Sequence, residues 1–217
     1  LFAVQSKRAA GVAHIRARAD DPRKNEAVIS RTRADLLLGA GSRYAQASAA
    51  EIIGEISASD NPIVFVGKPC DVASAHKAEL GENLALTIAI FCAGAPNLIG
   101  TDKLLARLAV PKDAKLTDLR YRGDGWPGLM QARYMTDAGE VTSEGIPYGE
   151  GWGRILQAER RWRCRICTDH TGAFADISVG DPWHNPPAGN TDAGRSLIIA
   201  RTAKGLRLIE EAIAAGV

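Results

Sequence analysis

Four cysteines carry the clearest chemistry in this chain: Cys70, Cys92, Cys164 and Cys167. The last two form Cys164-Arg165-Ile166-Cys167, a spacing that lets two thiolates address one metal centre. The other two each follow a short apolar run, one leading into Gly67-Lys68-Pro69-Cys70 and one into Phe91-Cys92-Ala93-Gly94. Four thiolates are the complement of a [4Fe–4S] cluster or of one structural zinc ion. Structural zinc sites favour two close-spaced pairs, whereas clusters accept ligands scattered along the chain, so a single close pair leans towards iron. Arg160, Arg161, Arg163 and Arg165 flank that pair and would offset the negative charge of a four-thiolate centre. Two plainer readings stand beside this one: buried free cysteines next to an incidental CxxC, or disulfides, which nothing in the sequence favours.

The elements that must bring these thiols together can be read from hydrophobic patterning. Residues 63–66 and 84–91 are short continuous apolar runs of the kind that form buried strands, and residues 72–80 between them suit a helix. Strand, helix and strand make a βαβ unit whose parallel strands end on one rim, where α/β sheets bind ligands. Cys70 and Cys92 would share that rim. A helix is also expected over 48–56, strands over 175–179 and 196–201, and a terminal helix over 204–215. Glycine and turn residues crowd residues 101–153, as in Arg122-Gly123-Asp124-Gly125-Trp126-Pro127-Gly128, so hairpins and loops are expected there rather than long helices. The first 30 or so residues mix basic and small side chains without clean period and read as loop and short irregular pieces. The expected fold is thus α/β, with α+β as its variant: a mixed, partly parallel sheet flanked by helices, with a loop-rich middle. Residues 1–217 read as a single domain, with 1–40 as an irregular or partial N-terminal segment.

Composition narrows the function classes. The chain has 217 residues, 46% hydrophobic and 24% charged, the balance of a globular protein with a real core. Its net charge of +2 leaves no cationic excess for nucleic-acid binding by counterion release. Basic residues do gather at Arg16, Arg18, Arg23, Lys24, Arg31 and Arg33, where a solvated face or an anion site are the two readings. No stretch reaches the roughly 20 apolar residues of a membrane span, and no signal peptide is visible, so a cytoplasmic protein is expected. The start at Leu1 suggests that part of the natural protein precedes it. No dinucleotide glycine fingerprint, phosphate loop or hydrolase triad signature occurs. Of His14, His76, His170 and His184, only His170 follows the CxxC pair closely, where it could replace a ligand or relay a proton. An ordinary surface histidine is the simpler reading.

In order along the chain, several segments resemble the C-terminal domain of the coenzyme F-420 hydrogenase/dehydrogenase beta subunit family. They are Gly67-Lys68-Pro69-Cys70, where the family usually has Gly-Thr-Pro-Cys; Phe91-Cys92-Ala93-Gly94; Tyr121-Arg122 followed by Gly125-Trp126; and the Cys164–Cys167 pair. The series continues through Ala175-Asp176-Ile177-Ser178-Val179-Gly180-Asp181-Pro182-Trp183 and Gly194-Arg195-Ser196 to Arg201-Thr202, with Gly41-Ser42-Arg43-Tyr44 upstream. The resemblance implies a flavoprotein that holds FAD beside one [4Fe–4S] cluster and moves electrons between the cluster and an organic hydride carrier. Relatives reduce deazaflavin coenzyme F-420, serve as formate dehydrogenase beta subunits or reduce a chlorophyll side chain. It implies Cys70, Cys92, Cys164 and Cys167 as cluster ligands, and as flavin contacts Ser42, Tyr44, Lys68, Arg122, Gly125, Trp126, Asp176, Gly180 and Asp181. Lys68 and Arg122 would neutralise pyrophosphate; Asp176 and Asp181 would meet a ribose hydroxyl or cap a turn. Expected partners are a redox subunit or ferredoxin and a small organic hydride acceptor, with no nucleic acid or membrane; homo-oligomerisation stays open. The alternative is a non-catalytic module stabilised by zinc on the same cysteines.

Overall fold

The computed structural model describes residues 1–184 and 192–217. Its first half runs α1 (Phe2–Gln5), β1 (Gly11–Ala17), β2 (Asn25–Ser30), α2 (Arg33–Leu38), α3 (Ile53–Ser57), β3 (Ile63–Gly67), α4 (Pro69–Lys77) and β4 (Leu84–Ile90). Then follow α5 (Leu98–Arg107), β5 (Leu116–Arg120), β6 (Leu129–Thr136), β7 (Gly139–Thr142), β8 (Ile146–Pro147), α6 (Tyr148–Glu150) and α7 (Trp162–Arg165). The chain closes with β9 (Ile177–Gly180), β10 (Leu197–Ala200) and α8 (Ala203–Ala214).

Six strands form the main sheet in the order β10-β9-β4-β3-β1-β2. The four central strands are parallel, and β2 and β10 close the edges antiparallel. Side chains of β3 alternate between two buried faces. Ile63 and Phe65 pack with Ala13, Ile52, Ile56, Val72 and Ala89 on one side, and Val64 packs with Val12, Leu86 and Ile177 on the other. Burial on both faces is why the β3 sequence is continuously apolar rather than alternating. The expected β3–α4–β4 unit is present, with Val64 to Gly67 paired in parallel with Leu86 to Ala89. The class is α/β with a mixed sheet, as the patterning implied.

A second, antiparallel sheet orders β5-β6-β7, with β8 paired to β6. Its inner side packs on Leu104 and Leu108 of and after α5, and on Trp152 and Leu156, around fully buried Tyr121 and Met130. The hairpins expected across 101–153 are therefore there, but α5 is not a loop. Asn97 caps it by accepting from the Gly100 amide, and Leu104 on its inner face reaches the core, signals that the nearby glycines obscured.

The first 30 residues also differ from the irregular segment expected. They supply β1 and β2, paired over Val12 to Ala17 and Asn25 to Ser30. Val12, Ile15, Val28 and Ile29 suit strands, but the glycine, alanines and polar residues between them leave no clean period; pairing β1 between β2 and β3 fixes them. Among the described residues no helix is long and apolar enough to cross a membrane.

Candidate functional site

Cys70 does not end a strand, as the sequence suggested. It sits in the first turn of α4, because Pro69 takes the opening position and Lys68 the cap. The Asp71 carboxylate accepts from the Lys68 amide at 3.2 Å and ion-pairs the Lys68 ammonium at 2.6 Å, which fixes this turn at the end of β3. Cys92 stands two residues past β4 on the same rim. The Gly94 amide donates to its sulfur at 3.4 Å.

The segment after Cys92 then receives the CxxC pair. Pro96 and Arg160 form a bridge, and the Arg161 amide donates to the Ala95 carbonyl at 3.2 Å, so α7 arrives alongside. The Ala95 amide donates to the Cys164 sulfur at 3.4 Å. A β-carbon on Gly94, whose φ is +115°, would lie 3.2 Å from the Cys164 β-carbon; only glycine suits that turn and that approach. Cys167 donates to the Asp169 carbonyl at 3.3 Å, and the next residue ties back to the start: the Cys92 amide donates to the His170 carbonyl at 3.0 Å, and His170 Nδ1 donates to the Cys92 carbonyl at 2.7 Å. Through Nδ1 and its carbonyl, His170 thus fastens the backbone around the thiols.

Burial and neighbouring groups set the acidity of these thiols. Burial pushes the Cys70 thiol up, the Asp71 carboxylate and Cys164 add to it, and the Lys68 ammonium opposes them. Burial likewise raises Cys92, with the Gly94 amide and Lys68 opposing and Cys70 and Cys164 adding to it. Three thiols from three separate segments therefore feel one another, and all four cysteines are free. Among the described residues, no three His, Cys, Asp or Glu side chains gather closely enough to hold a single metal ion. Four thiolates are the complement that an iron–sulfur cluster takes, and the amides of Gly94 and Ala95 already donate to two of these sulfurs.

Next along the rim, β9 leads into Gly180, Asp181, Pro182 and Trp183. The Phe91 amide donates to the Val179 carbonyl at 2.8 Å, which sets this corner directly beside Cys92. Here the second sheet leans in. Arg122, just after β5, pairs with Asp181 at 2.5 Å, donates to the Pro127 carbonyl at 3.2 Å, and lies over the rings of Tyr148 (5.2 Å) and Trp183 (5.7 Å). Tyr148 and Trp183 stack at 5.4 Å, Trp126 meets Trp183 at 5.2 Å, and Tyr44 packs on Trp152 at 4.7 Å. Burial first, then Tyr44, drives the Tyr148 hydroxyl well above the usual phenol range, so it stays protonated and can donate. Burial works against the charge of Arg122, but the Tyr44 and Asp181 oxygens more than offset it and the guanidinium is held above its ordinary value. The Trp126 indole is buried with its N–H unpaired among the described residues, a donor that a ligand oxygen would satisfy.

The rim thus gathers Tyr44, Arg122, Trp126 and Asp181, with half-buried Ser42 two residues before Tyr44 and Gly125 at φ +125° in the loop beside Trp126. Lys68 belongs to the cysteine end instead. Gly180 allows the corner to close, since a β-carbon there would lie 2.2 Å from the Phe91 ring. Asp176 stands apart, at the opposite end of β9. Its carboxylate accepts from the Thr87 amide and hydroxyl at 2.9 and 3.1 Å and from the Thr202 hydroxyl at 2.7 Å, so it anchors α8 to β4, and the ribose contact expected of it gives way to its capping alternative. Tyr148, Trp152 and Trp183 escaped the sequence reading as site residues, although Tyr148 and Trp152 stand four residues apart on consecutive turns. A cavity of about 560 Å³ lies elsewhere, by Pro62 and Leu84 at the N-terminal strand ends, and contains no thiol.

The mixed sheet defines the class as α/β, and in such sheets the C-terminal rim, where the cysteines and the Arg122–Asp181 corner lie, is the usual place for ligands. The family model for the C terminus of the coenzyme F420 hydrogenase/dehydrogenase beta subunit matches residues 60–217, and the model for the N-terminal part of the same beta subunit matches residues 2–53. The chain belongs to the coenzyme F420 hydrogenase/dehydrogenase beta subunit family and is, in that family, an oxidoreductase subunit. The N-terminal match falls where β1 and β2 replace the irregular segment. Among solved structures the chain is similar to one in the F420-reducing [NiFe] hydrogenase complex from Methanosarcina barkeri, determined as a xenon derivative. The TM-score is 0.71 at 19% identity, covering 100% of this chain and 70% of that one, a likeness of fold. No curated protein matches the chain.

Proposed function

We propose that this subunit holds a [4Fe–4S] cluster on Cys70, Cys92, Cys164 and Cys167, and FAD against the wall of Arg122, Tyr148, Trp126 and Trp183. Its substrate would be an organic hydride carrier such as deazaflavin coenzyme F-420, and its electron partner a redox subunit or ferredoxin. The observation that carries the reading is the meeting at one rim of Cys70 in the first turn of α4, Cys92 beside the Gly94 amide and Cys164 on the Ala95 amide, next to the corner where Arg122 meets Asp181.

When bound, the flavin exchanges electrons in pairs as hydride and the cluster exchanges them singly, which is why a protein would keep the two side by side. The chain's own contribution is positioning and charge. Lys68 lowers the cost of ionising Cys70 and Cys92 against their burial. Amides of Gly94 and Ala95 point at sulfur and favour its anionic form. Arg122 offers a fixed positive charge to a pyrophosphate or an anionic ring, held in place by Asp181. Trp183, Tyr148 and Trp126 supply flat apolar surface that excludes water, and the Tyr148 hydroxyl and Trp126 indole supply donors.

Anaerobic purification tests the proposal. A brown protein with about four irons and four sulfides per chain, releasing flavin on denaturation, is the expected result. A colourless protein that carries one zinc per chain and no flavin overturns it in favour of a zinc-stabilised module.

A further inference from the structure

We infer that the exposed face of α7 is a docking surface for an acidic electron-carrier protein. The inference rests on the cluster reading above and adds the place and chemistry of the partner. α7 carries Trp162 with 74% of its surface exposed, and Ile166, one turn on, is 50% exposed. An indole left this bare beside a site residue is unusual for a monomer surface, and Trp and Arg are the residues that most often anchor interfaces.

The charges around it are arranged unequally. Arg160 and Arg165 are committed to the local backbone, donating to the carbonyls of Ala93, Gln157, Arg160 and Ala158. Arg161 and Arg163 are exposed, and among the described residues neither makes an ion pair or a side-chain hydrogen bond. The acidic residues nearby in sequence are already occupied: Glu159 binds Lys103 at 2.5 Å, and Asp169 accepts the amides of residues 171–173. An apolar centre with two uncompensated guanidiniums is left on the short helix that carries Cys164. Such a face is complementary to a carboxylate-rich rim around an apolar spot, and complementarity of that kind steers encounter between electron carriers. It would also bring the carrier to the helix that carries Cys164. Nucleic acid would be drawn to guanidiniums too, but the chain's net charge of only +2 and its interspersed carboxylates argue against it.

The test measures binding of a purified acidic two-cluster bacterial ferredoxin to the intact protein by calorimetry at low and high salt, with iron content read on the same samples. The double variant Arg161→Glu/Arg163→Glu is expected to raise Kd about tenfold or more at low salt, with the difference collapsing at high salt. Trp162→Ser is expected to weaken binding by a similar factor at both salt levels, because its contribution is apolar. Trp162→Ser should retain the wild-type iron content. Unchanged Kd in both variants overturns the proposal, as does a wild-type protein that binds duplex DNA and not the ferredoxin. Loss of iron in the arginine variant alone would return those residues to balancing the cluster's charge, and Trp162→Ser then decides. A wild-type protein without iron sinks the cluster reading instead, a separate outcome.

Discussion

Arg122 and Asp181 meet at 2.5 Å, joining the residue that leaves β5 of the small sheet to the one that follows β9 of the large sheet. With only 13% and 26% of their side chains exposed, the pair is half-sheltered, and the guanidinium is further covered by two aromatic rings. Replacing Arg122 by Met would leave the Asp181 carboxylate against those rings with no counter-charge. The expected result is flavin affinity lowered about tenfold or more, roughly 1.4 kcal/mol, with a stability loss of about 1–3 kcal/mol. Flavin titration of the apoprotein, monitored by fluorescence quenching, checks this. Wild-type affinity in Arg122→Met would remove Arg122 from the flavin wall.

Cys164 joins the CxxC pair to the Cys92 turn, since its sulfur accepts the Ala95 amide and its β-carbon lies against Gly94. Cys164→Ala is expected to reduce iron to background and lower solubility, because three remaining thiolates cannot close a four-ligand centre. The backbone around it is held independently by Arg161 and Ala95, so the far-ultraviolet dichroism of the variant should stay close to wild type. Full iron content in the variant would exclude Cys164 as a ligand.

What could be read in advance follows from where each signal is written. β3, β4 and the terminal helix announce themselves because burial on two faces, or on one helical face, leaves a local period. β1 is different: Gly11, Ala13 and His14 become strand only through pairing with β2 and β3, which is not local information. The thiol set was legible because cysteine is scarce and its ligand chemistry narrow. The aromatic wall was not, since Tyr148 and Trp183 lie far apart in sequence and become neighbours only when the second sheet leans on the rim. Asp176 left two readings open, a ribose contact or a turn cap, because a motif-like segment does not say where a carboxylate points; its oxygens accept from Thr87 and Thr202.

Gly180 is a steric requirement rather than a conformational one. Its φ is ordinary, but a β-carbon would lie 2.2 Å from Phe91 Cδ2 and 2.9 Å from Phe91 Cβ, and Phe91 immediately precedes Cys92. Gly180→Ala must therefore push Phe91 away, at about 1–3 kcal/mol in a packed corner. Denaturant unfolding is expected to show that loss, with lower cluster occupancy after reconstitution because the Cys92 turn shifts. Pairing it with Phe91→Ala should restore part of the occupancy by vacating the clash. If the single variant unfolds like wild type, the corner is looser than the geometry requires.

His14 gives the fold a pH dependence of its own. Its ring is buried in β1, Nδ1 lies 3.1 Å from the Ile15 carbonyl and Nε2 2.7 Å from the Ser30 hydroxyl. A carbonyl can only accept, so Nδ1 carries the proton; in the neutral imidazole that burial favours, Nε2 then receives the Ser30 hydroxyl hydrogen. Burial lowers its pKa from 6.5, Arg16 pushes the same way, and the Ile15 carbonyl opposes them. Above 6.5 both folded and unfolded chains hold it neutral and stability is complete. Below 6.5 the unfolded chain takes up a proton that the fold refuses, so stability falls until the folded pKa is passed and then levels. His14→Gln should remove this component: the stability difference between wild type and variant is expected to shrink between about pH 7 and pH 5 in urea unfolding. Asp21 does not enter that window. Its bond to Arg23 holds its pKa at about 2, so its contribution is present above 3.8 and is lost only as pH falls towards 2. A wild-type minus variant difference that stays flat from neutral to mildly acid pH would mean that His14 charges freely within the sheet, against its burial and its tautomer.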